Sequence, residues 1–320
     1  MNTFKSFNTV GVICVAVSLG GAALAQEARQ WGQNRSITQI SKSVYRFGSD
    51  NQFGAYVLTA EGIIVVDGHY CQSNTTQWLK SELEKRHDVP VKYVVLSHDH
   101  QDHNCHTGIF SDTAVTIGQR NILAHIVREN RNSAIPTILF DDEMEIVLGG
   151  VTVRLLFFGP THSDNLIQVH IPDEQVLIAV DMAKGRSIFP DYRDMEVNNT
   201  LRVLKILAHL PDVDVVLPGH GPVTTQQNFN DSRHYIEALR DEVLRYMVEG
   251  LTLDEMRKQI ELEDFSDYTL RDRFFDGNIV TMYHYLYRYR EPNSRITTEE
   301  AVECRDRRDC RTSGEIEIRN

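Results

Sequence analysis

Cysteine, proline and glycine are all sparse in this 320-residue chain, at 5, 9 and 19 residues respectively. So few cysteines exclude a miniature scaffold built on disulfides, and so little Pro and Gly excludes a collagenous or low-complexity polymer. Positive charge is also in deficit, since 33 Lys and Arg face 45 Asp and Glu for a formal net charge of −12. Such a field repels a phosphate backbone and an anionic bilayer alike, so nucleic acid is not an expected partner. What is present is a globular mixture, 41% apolar, 24% charged and 8% aromatic. A chain of this length can bury a substantial core, as one large domain or two modest ones.

The first 25 residues stand apart. Lys5 is their only charge, an apolar run from Val10 to Val17 follows it, and Ala23-Leu24-Ala25 lies just ahead of Gln26. That is the order of charged, apolar and small-x-small segments in an export signal. The alternative is a membrane anchor, but the run falls short of the roughly 20 apolar residues that span a bilayer. Ile13 ahead of Cys14 does not suit a lipoprotein cleavage. The expectation is therefore a signal peptide over residues 1–25 and a mature chain in the periplasm or outside the cell, with no stable membrane insertion. Loss of Lys5 takes the net charge from −12 to −12 − 1 = −13.

Cys71, Cys105, Cys304 and Cys310 remain in the mature chain. In an oxidising compartment the simplest local bridge joins Cys304 to Cys310 across a short charged segment. Cys71 and Cys105 are then either a second bridge or free thiols.

Periodicity supplies the organisation. Short β-branched runs at Val44–Phe47, Ala55–Leu58, Ile63–Val66 and Val91–Leu96 read as strands, with an amphipathic helix from Thr75 to Lys85 before the last. A second half repeats the theme: strands at Val151–Phe158, Leu166–Ile171 and Val176–Val180, a helix at Leu201–Leu210, then a strand at Val213–Leu217. Each half pairs a strand ending in Asp (Asp67, Asp181) with a later strand followed by His (His98, His220). An internal duplication of this kind puts all four strand ends on one rim, where layered α/β folds carry their function. After Pro222 the character is helical, with Tyr235, Leu239, Val243, Leu244 and Met247 on one face and Thr252 placed to cap a further helix. A last helix is expected over Ile279–Tyr287. The expected division is a core domain over residues 26–225, helices packing on it over 226–292 and a charged tail over 293–320.

The chemistry concentrates in Ser97-His98-Asp99-His100-Gln101-Asp102-His103. Three imidazoles and two carboxylates crowd together directly after a strand, which suits a metal or a proton relay better than a solvated loop. Alternate side chains of an extended segment point the same way, so His98 and His100 can grip one ion while Asp102 and His103 turn to a second. Two further histidines, His162 after Gly159-Pro160-Thr161 and His220 after Pro218-Gly219, follow strand-ending turns.

These residues, in this order and spacing, resemble the metallo-β-lactamase-fold hydrolases. The pattern His-x-His-x-Asp-His is met by His98, His100, Asp102 and His103. The family's later histidines correspond to His162 and His220, its bridging Asp to Asp181 and its early strand-end Asp to Asp67. The resemblance runs from about Val44 to Pro222 and implies an α/β fold, an αββα sandwich extended here by the C-terminal helices. It implies a dinuclear site with His98, His100 and His162 on one metal, Asp102, His103 and His220 on the other, and Asp181 between them. Imidazole and carboxylate donors suit two Zn²⁺, with Fe or Mn as alternatives. Two such ions would share a water, lower its pKa and direct a bridging hydroxide at a carbonyl-type bond of a small molecule. Asp102 is the candidate for handling the proton as the bond breaks, and Asp67 for orienting a ligating histidine from behind.

The chain also departs from that family. Asn104 and Cys105 stand where small glycines commonly follow His103. Asp181 replaces the Cys ligand of some β-lactamase subclasses, and His98 replaces the Asn that opens the motif in another. The ligand set is more similar to the glyoxalase II, lactonase, arylsulfatase and phosphodiesterase branches. Export argues against a glutathione thioesterase, and net charge against the nuclease members. The expected activity is hydrolysis of a lactone, ester or amide, β-lactams included. The alternatives are a phosphodiesterase or sulfatase of the same fold, or a mononuclear-iron oxidoreductase like the sulfur dioxygenases. Lys184, Arg186 and Tyr192 follow the bridging Asp and are placed to meet an anionic or carbonyl group, although such loop residues are more often solvated. His69, His106, His125, His170, His209, His234 and His284 have no place in the pattern and read as ordinary surface or core histidines.

Overall fold

A computed structural model describes residues 31–188 and 195–289 of the chain. The expected signal peptide, Tyr192, the Cys304–Cys310 pair and the tail lie outside the described residues. No helix among the described residues is long and apolar enough to cross a membrane.

The β-branched runs form two sheets. The first takes β1 (Ser36–Gln39), β2 (Val44–Ser49), β3 (Gln52–Thr59), β4 (Gly62–Val66), β5 (Val91–Val95), β6 (Val115–Gln119) and β7 (Ile138–Phe140) in that spatial order. The second takes β8 (Glu143–Leu148), β9 (Val151–Leu156), β10 (Gln168–Ile171), β11 (Val176–Ile178) and β12 (Val215–Leu217), also in sequence order across the sheet. The duplication read from the sequence is visible in the pairing. In β2 to β5 the neighbours run antiparallel, antiparallel, then parallel, and β9 to β12 repeat the same series. A parallel step needs a crossover, and the two are made by α1 (Thr75–Arg86) and α4 (Val197–Leu207). Parallel β4 and β5 therefore end on the same side, as do β11 and β12, which carries Asp67, His98, Asp181 and His220 to strand ends.

Burial explains the layers. Ala55, Val57, Ile64, Val66 and Val95 of one sheet meet Val153, Leu155, Val169, Val176 and Ile178 of the other in a shared core between them. On the outer face of the first sheet, Tyr56, Ile63, Val65 and Val94 pack with Leu79 and Leu83, the i and i+4 pair of α1, and with Ile122 and Ile126 of α3 (Ile122–Arg128). Another core gathers Leu177 and Val216 of the second sheet with α4, α5 (Gln227–Val248), α6 (Leu253–Gln259) and α7 (Arg271–Tyr289). This is an αββα sandwich with helices added after the last strand. Thr252 caps α6 as its sequence suggests, in a full capping box with Glu255. Strands β1, β6, β7 and β8 lie outside those read from the sequence; β7 is only three residues long, and β8 alternates exposed Glu143 and Glu145 with the less exposed Met144 and Ile146.

Between β2 and β3 the hairpin turn is only Asp50-Asn51, with φ of 54° and 66°. Two successive left-handed residues are what a type I′ turn requires, and Asn and Asp tolerate them. The turn locks Ser49 opposite Gln52.

Cys71 and Cys105 form a disulfide across a sequence separation of 34. It ties the loop after β4 to α2 (Gln101–Asn104), the helical turn that carries Asp102 and His103. Gly68 allows this close approach, since a Cβ there would lie 2.6 Å from the Cys105 carbonyl oxygen. Closing a loop of this length is worth about 3–4 kcal/mol in the chain-entropy account. Reduction under native conditions is expected to lower unfolding stability by that amount, read as a shift in the denaturant midpoint. An unchanged midpoint would remove the bridge from the list of stabilising features.

Candidate metal centre

The histidines and carboxylates of the motif lie in the loops and the α2 turn that follow strands β4, β5, β9, β11 and β12. Asp67 follows β4 in a left-handed conformation, φ 65°, which Asp accepts more readily than a β-branched residue. His98, His100, Asp102 and His103 follow β5, His162 lies in the β9–β10 loop, Asp181 follows β11 and His220 follows β12.

The backbone around His98 and His100 is pinned from behind. Asp99, buried between them, receives the Asn165 side-chain amide at 2.7 Å and returns its backbone N–H to Asn165 Oδ1 at 2.9 Å. Arg131 pairs with the same carboxylate at 2.8 Å and donates to the Asp99 carbonyl. Asp99 is thus engaged on one side while His98 and His100 converge on the other, the alternation expected of an extended segment. Asn104 donates to the His98 carbonyl at 3.2 Å, a role the commoner glycine could not fill. Gly219 is needed for a different reason, because a Cβ there would lie 2.5 Å from His103 Cε1.

The donor atoms fall into two groups, His98, His100, His162 and Asp181 in one and Asp102, His103 and His220 in the other, each within 4.8 Å. Asp181 joins them. Its Oδ2 lies 3.1 Å from His162 Nε2, 3.5 Å from His98 Nε2 and 3.4 Å from His103 Nε2, and its Oδ1 lies 3.6 Å from His220 Nε2. Asp102 Oδ2 is 3.5 Å from His103 Nε2 and 3.3 Å from His220 Nε2. His162 Nε2 and His100 Nδ1 are 3.1 Å apart, and the Nε2 atoms of His103 and His220 are 3.2 Å apart.

These spacings suit metal ions. Tetrahedral donors about 2.1 Å from a Zn²⁺ stand about 3.4 Å from one another, and the donor pairs given above lie 3.1–3.6 Å apart. Two facing imidazole nitrogens have no satisfactory contact unless a proton or a cation lies between them. His98 Nε2 is buried with no hydrogen-bond partner, an arrangement costly for a polar atom and natural for a ligand. Its other ring nitrogen, Nδ1, lies 2.9 Å from the Ser97 hydroxyl, a contact that leaves Nε2 free to ligate if the ring proton is on Nδ1.

Charge follows the same logic. Burial, reinforced by neighbouring His100, pushes His98 down to about 3, so its ring is neutral. His103 goes the other way: against burial, the carboxylates of Asp102 and Asp181 carry it up to about 9. Burial would raise both carboxylates, yet Lys184 and the imidazoles hold Asp181, and His103 holds Asp102, well below the usual carboxylate range.

Asp67 orients the site one step further back than its strand-end position suggests. Its Oδ1 accepts the Ser97 backbone N–H at 2.7 Å, and it is Ser97 whose hydroxyl meets the His98 ring. Burial raises the Asp67 carboxyl to about 6. Lys184 is not solvated: its ammonium is 2.7 Å from Asp181 Oδ1 and its side chain is 11% exposed. Arg186 instead pairs with Asp267 and lies over the Tyr268 ring. Two residues that carry no motif signal, Ser97 and Gln52, also enter the site. Gln52 reaches both Asp102 and His103 from β3.

His69 is fully buried beside this region, with Ser73 Oγ 2.8 Å from Nδ1 and the Gln52 carbonyl 3.1 Å from Nε2. Burial drops its pKa from 6.5 to about 4. The folded value lies below the unfolded one, so the unfolded chain binds the extra proton and stability falls as pH drops from about 6.5 to about 4. The loss should reach about 3 kcal/mol. Denaturant titrations over this range are expected to show a shallower pH slope for His69→Gln than for the unaltered chain. Parallel slopes would contradict the assignment.

A rim of two packed sheets bearing clustered His and Asp donors defines the class, an αββα metallohydrolase. Residues 54–220 match the metallo-beta-lactamase superfamily, and the chain belongs to that superfamily. It is 27% identical over 251 residues to the 2,4-dinitroanisole O-demethylase subunit alpha of Nocardioides sp. (strain JS1661), covering 74% of this chain and 70% of that protein. It is 23% identical over 284 residues to the linear primary-alkylsulfatase of Pseudomonas sp. (strain ATCC 19151), covering 71% of this chain and 53% of the sulfatase. Among solved structures, a metallo-beta-lactamase from Pontibacter korlensis superposes with a TM-score of 0.56 at 18% identity, over 63% of this chain and 99% of that one. That last likeness bears on the fold alone. The protein is a metal-dependent hydrolase of this superfamily.

Proposed function

We propose that the chain is an exported dinuclear zinc hydrolase that cleaves an ester, lactone or amide bond of a small molecule. The observation that carries this reading is the position of Asp181, whose two oxygens lie 3.1–3.6 Å from four imidazole nitrogens drawn from both donor groups. His98, His100 and His162 would hold one ion, Asp102, His103 and His220 the other, and Asp181 would face both. Bound there, such ions supply Lewis acidity toward a substrate oxygen and acidify water toward neutral pH. The chain's own residues do the rest. The Ser97 hydroxyl and the Asp99 network hold His98 and His100 in place. Asp102, with a side chain 32% exposed, is the carboxylate open enough to exchange a proton with a leaving group and with solvent. Lys184 holds Asp181 in place, its ammonium 2.7 Å from Oδ1. Export is supported by the leader-like first 25 residues and by the Cys71–Cys105 bridge, which suits an oxidising compartment.

The likeness to an alkylsulfatase favours one second reading, an alkyl sulfate ester in place of the carbonyl ester. Both are tested by incubating the purified chain with a β-lactam, an acyl-lactone, an aryl ester, a phosphodiester and an alkyl sulfate while metal is quantified. Turnover of the lactone or aryl ester that disappears with chelator supports the first reading. Turnover of the sulfate alone replaces it with the second, and one iron with no zinc replaces both with an oxidative chemistry.

A further inference from the structure

We infer that Gln52 is a positioning residue for the second donor group, holding Asp102, His103 and His220 in register; this rests on the dinuclear reading above. Gln52 is the first residue after the two-residue β2–β3 turn and is completely buried. A fully buried glutamine is uncommon unless its amide is engaged. Here its Nε2 donates to the Asp102 carbonyl at 2.6 Å and lies 2.9 Å from His103 Nδ1. Its backbone makes an antiparallel bridge to His220, and the next residue, Phe53, donates its N–H to the Gly219 carbonyl at 2.8 Å. One residue therefore touches all three members of the group, which come from two separate stretches of chain.

The chemistry of the amide fits this task. The amide nitrogen faces the edge of the His103 ring, 2.9 Å from Nδ1 and 3.2 Å from Nε2, while it donates to the Asp102 carbonyl, so one buried group fixes the ring and the Asp102 backbone together. The tight turn makes the placement rigid, because its two left-handed residues leave no slack in the register that delivers Gln52. In the first donor group, His98 and His100 are held from Ser97 and the Asp99 network instead.

The test is a Zn²⁺ titration of the chelator-stripped full chain against a chromophoric chelator, which resolves two binding phases. Gln52→Met, of similar volume but without the amide, is expected to weaken one ion by about 10- to 100-fold and leave the other unchanged. Gln52→Glu puts a carboxylate oxygen beside the His103 ring where the amide nitrogen stood and is expected to bind that ion more tightly than Gln52→Met. The thermal midpoint of each stripped variant, read alongside, should fall in both, because both lose the donor to the Asp102 carbonyl. Equal losses at both ions, no loss at either, or a Gln52→Glu chain no better than Gln52→Met would each overturn the inference. An unaltered chain that binds only one ion would instead overturn the dinuclear reading, and the inference with it. The two failures are thereby distinguished.

Discussion

Asp181→Ala is expected to reduce turnover by at least about 10³-fold, the scale seen when a charge-organising group is removed from a catalytic centre. The expectation follows from its position. Its Oδ2 stands 3.1 Å from His162 Nε2 and 3.4 Å from His103 Nε2, so its loss strips a donor from the first group and removes the carboxylate that faces the second. Lys184 would also lose the carboxylate 2.7 Å away, leaving its ammonium uncompensated beside the donors, where it opposes any bound cation. Metal per chain, measured on the same preparation, should fall together with turnover. Asp181→Asn, which keeps an oxygen donor but not the charge, is expected to lie between the two. A chain with alanine at this position that retains full metal content and activity would refute the bridging role. There is an acid counterpart. Because Lys184 and the imidazoles hold the folded Asp181 below its unfolded pKa, it adds stability above the ordinary carboxylate range and loses it on acidification.

Metal removal is the second large effect. Dialysis against a strong chelator is expected to abolish turnover and to lower unfolding stability by about 4 kcal/mol for each ion previously present at a thousandfold excess over its dissociation constant. Re-addition of Zn²⁺ should restore both. The affinity should weaken as pH falls below about 9, since an imidazole ligates only when deprotonated and the carboxylates of Asp102 and Asp181 carry His103 up to about 9 in the stripped chain. Calorimetry of the stripped and reloaded chain across pH reads this directly. Identical unfolding curves with and without metal would mean that the donor groups do not bind an ion in the folded protein.

How much of this was legible in the sequence depends on the distance over which each feature is encoded. The strands β2 to β5 and β9 to β12 are written in local β-branched runs, and the Thr252 cap in a four-residue pattern, so both can be read without the fold. The donor set is likewise local in kind. His98, His100, Asp102 and His103 share one short segment, and His162, Asp181 and His220 each follow a strand signal. The sequence by itself determined which residues are chemically able to hold a metal and that they follow strands. It could not show that Lys184 turns inward onto Asp181, that Cys71 pairs with Cys105, or that Arg131 and Asn165 secure Asp99. Those contacts join segments distant in the chain, and a side chain's partner across such a gap is set by strand register and sheet packing rather than by neighbouring residues. Gln52 shows the limit most clearly. Its sequence context is a plain hairpin turn, and only the docking of that hairpin against the loop carrying His220 brings its amide to Asp102 and His103. The tertiary structure decided that, because a buried amide acquires its partners from whatever the fold packs against it.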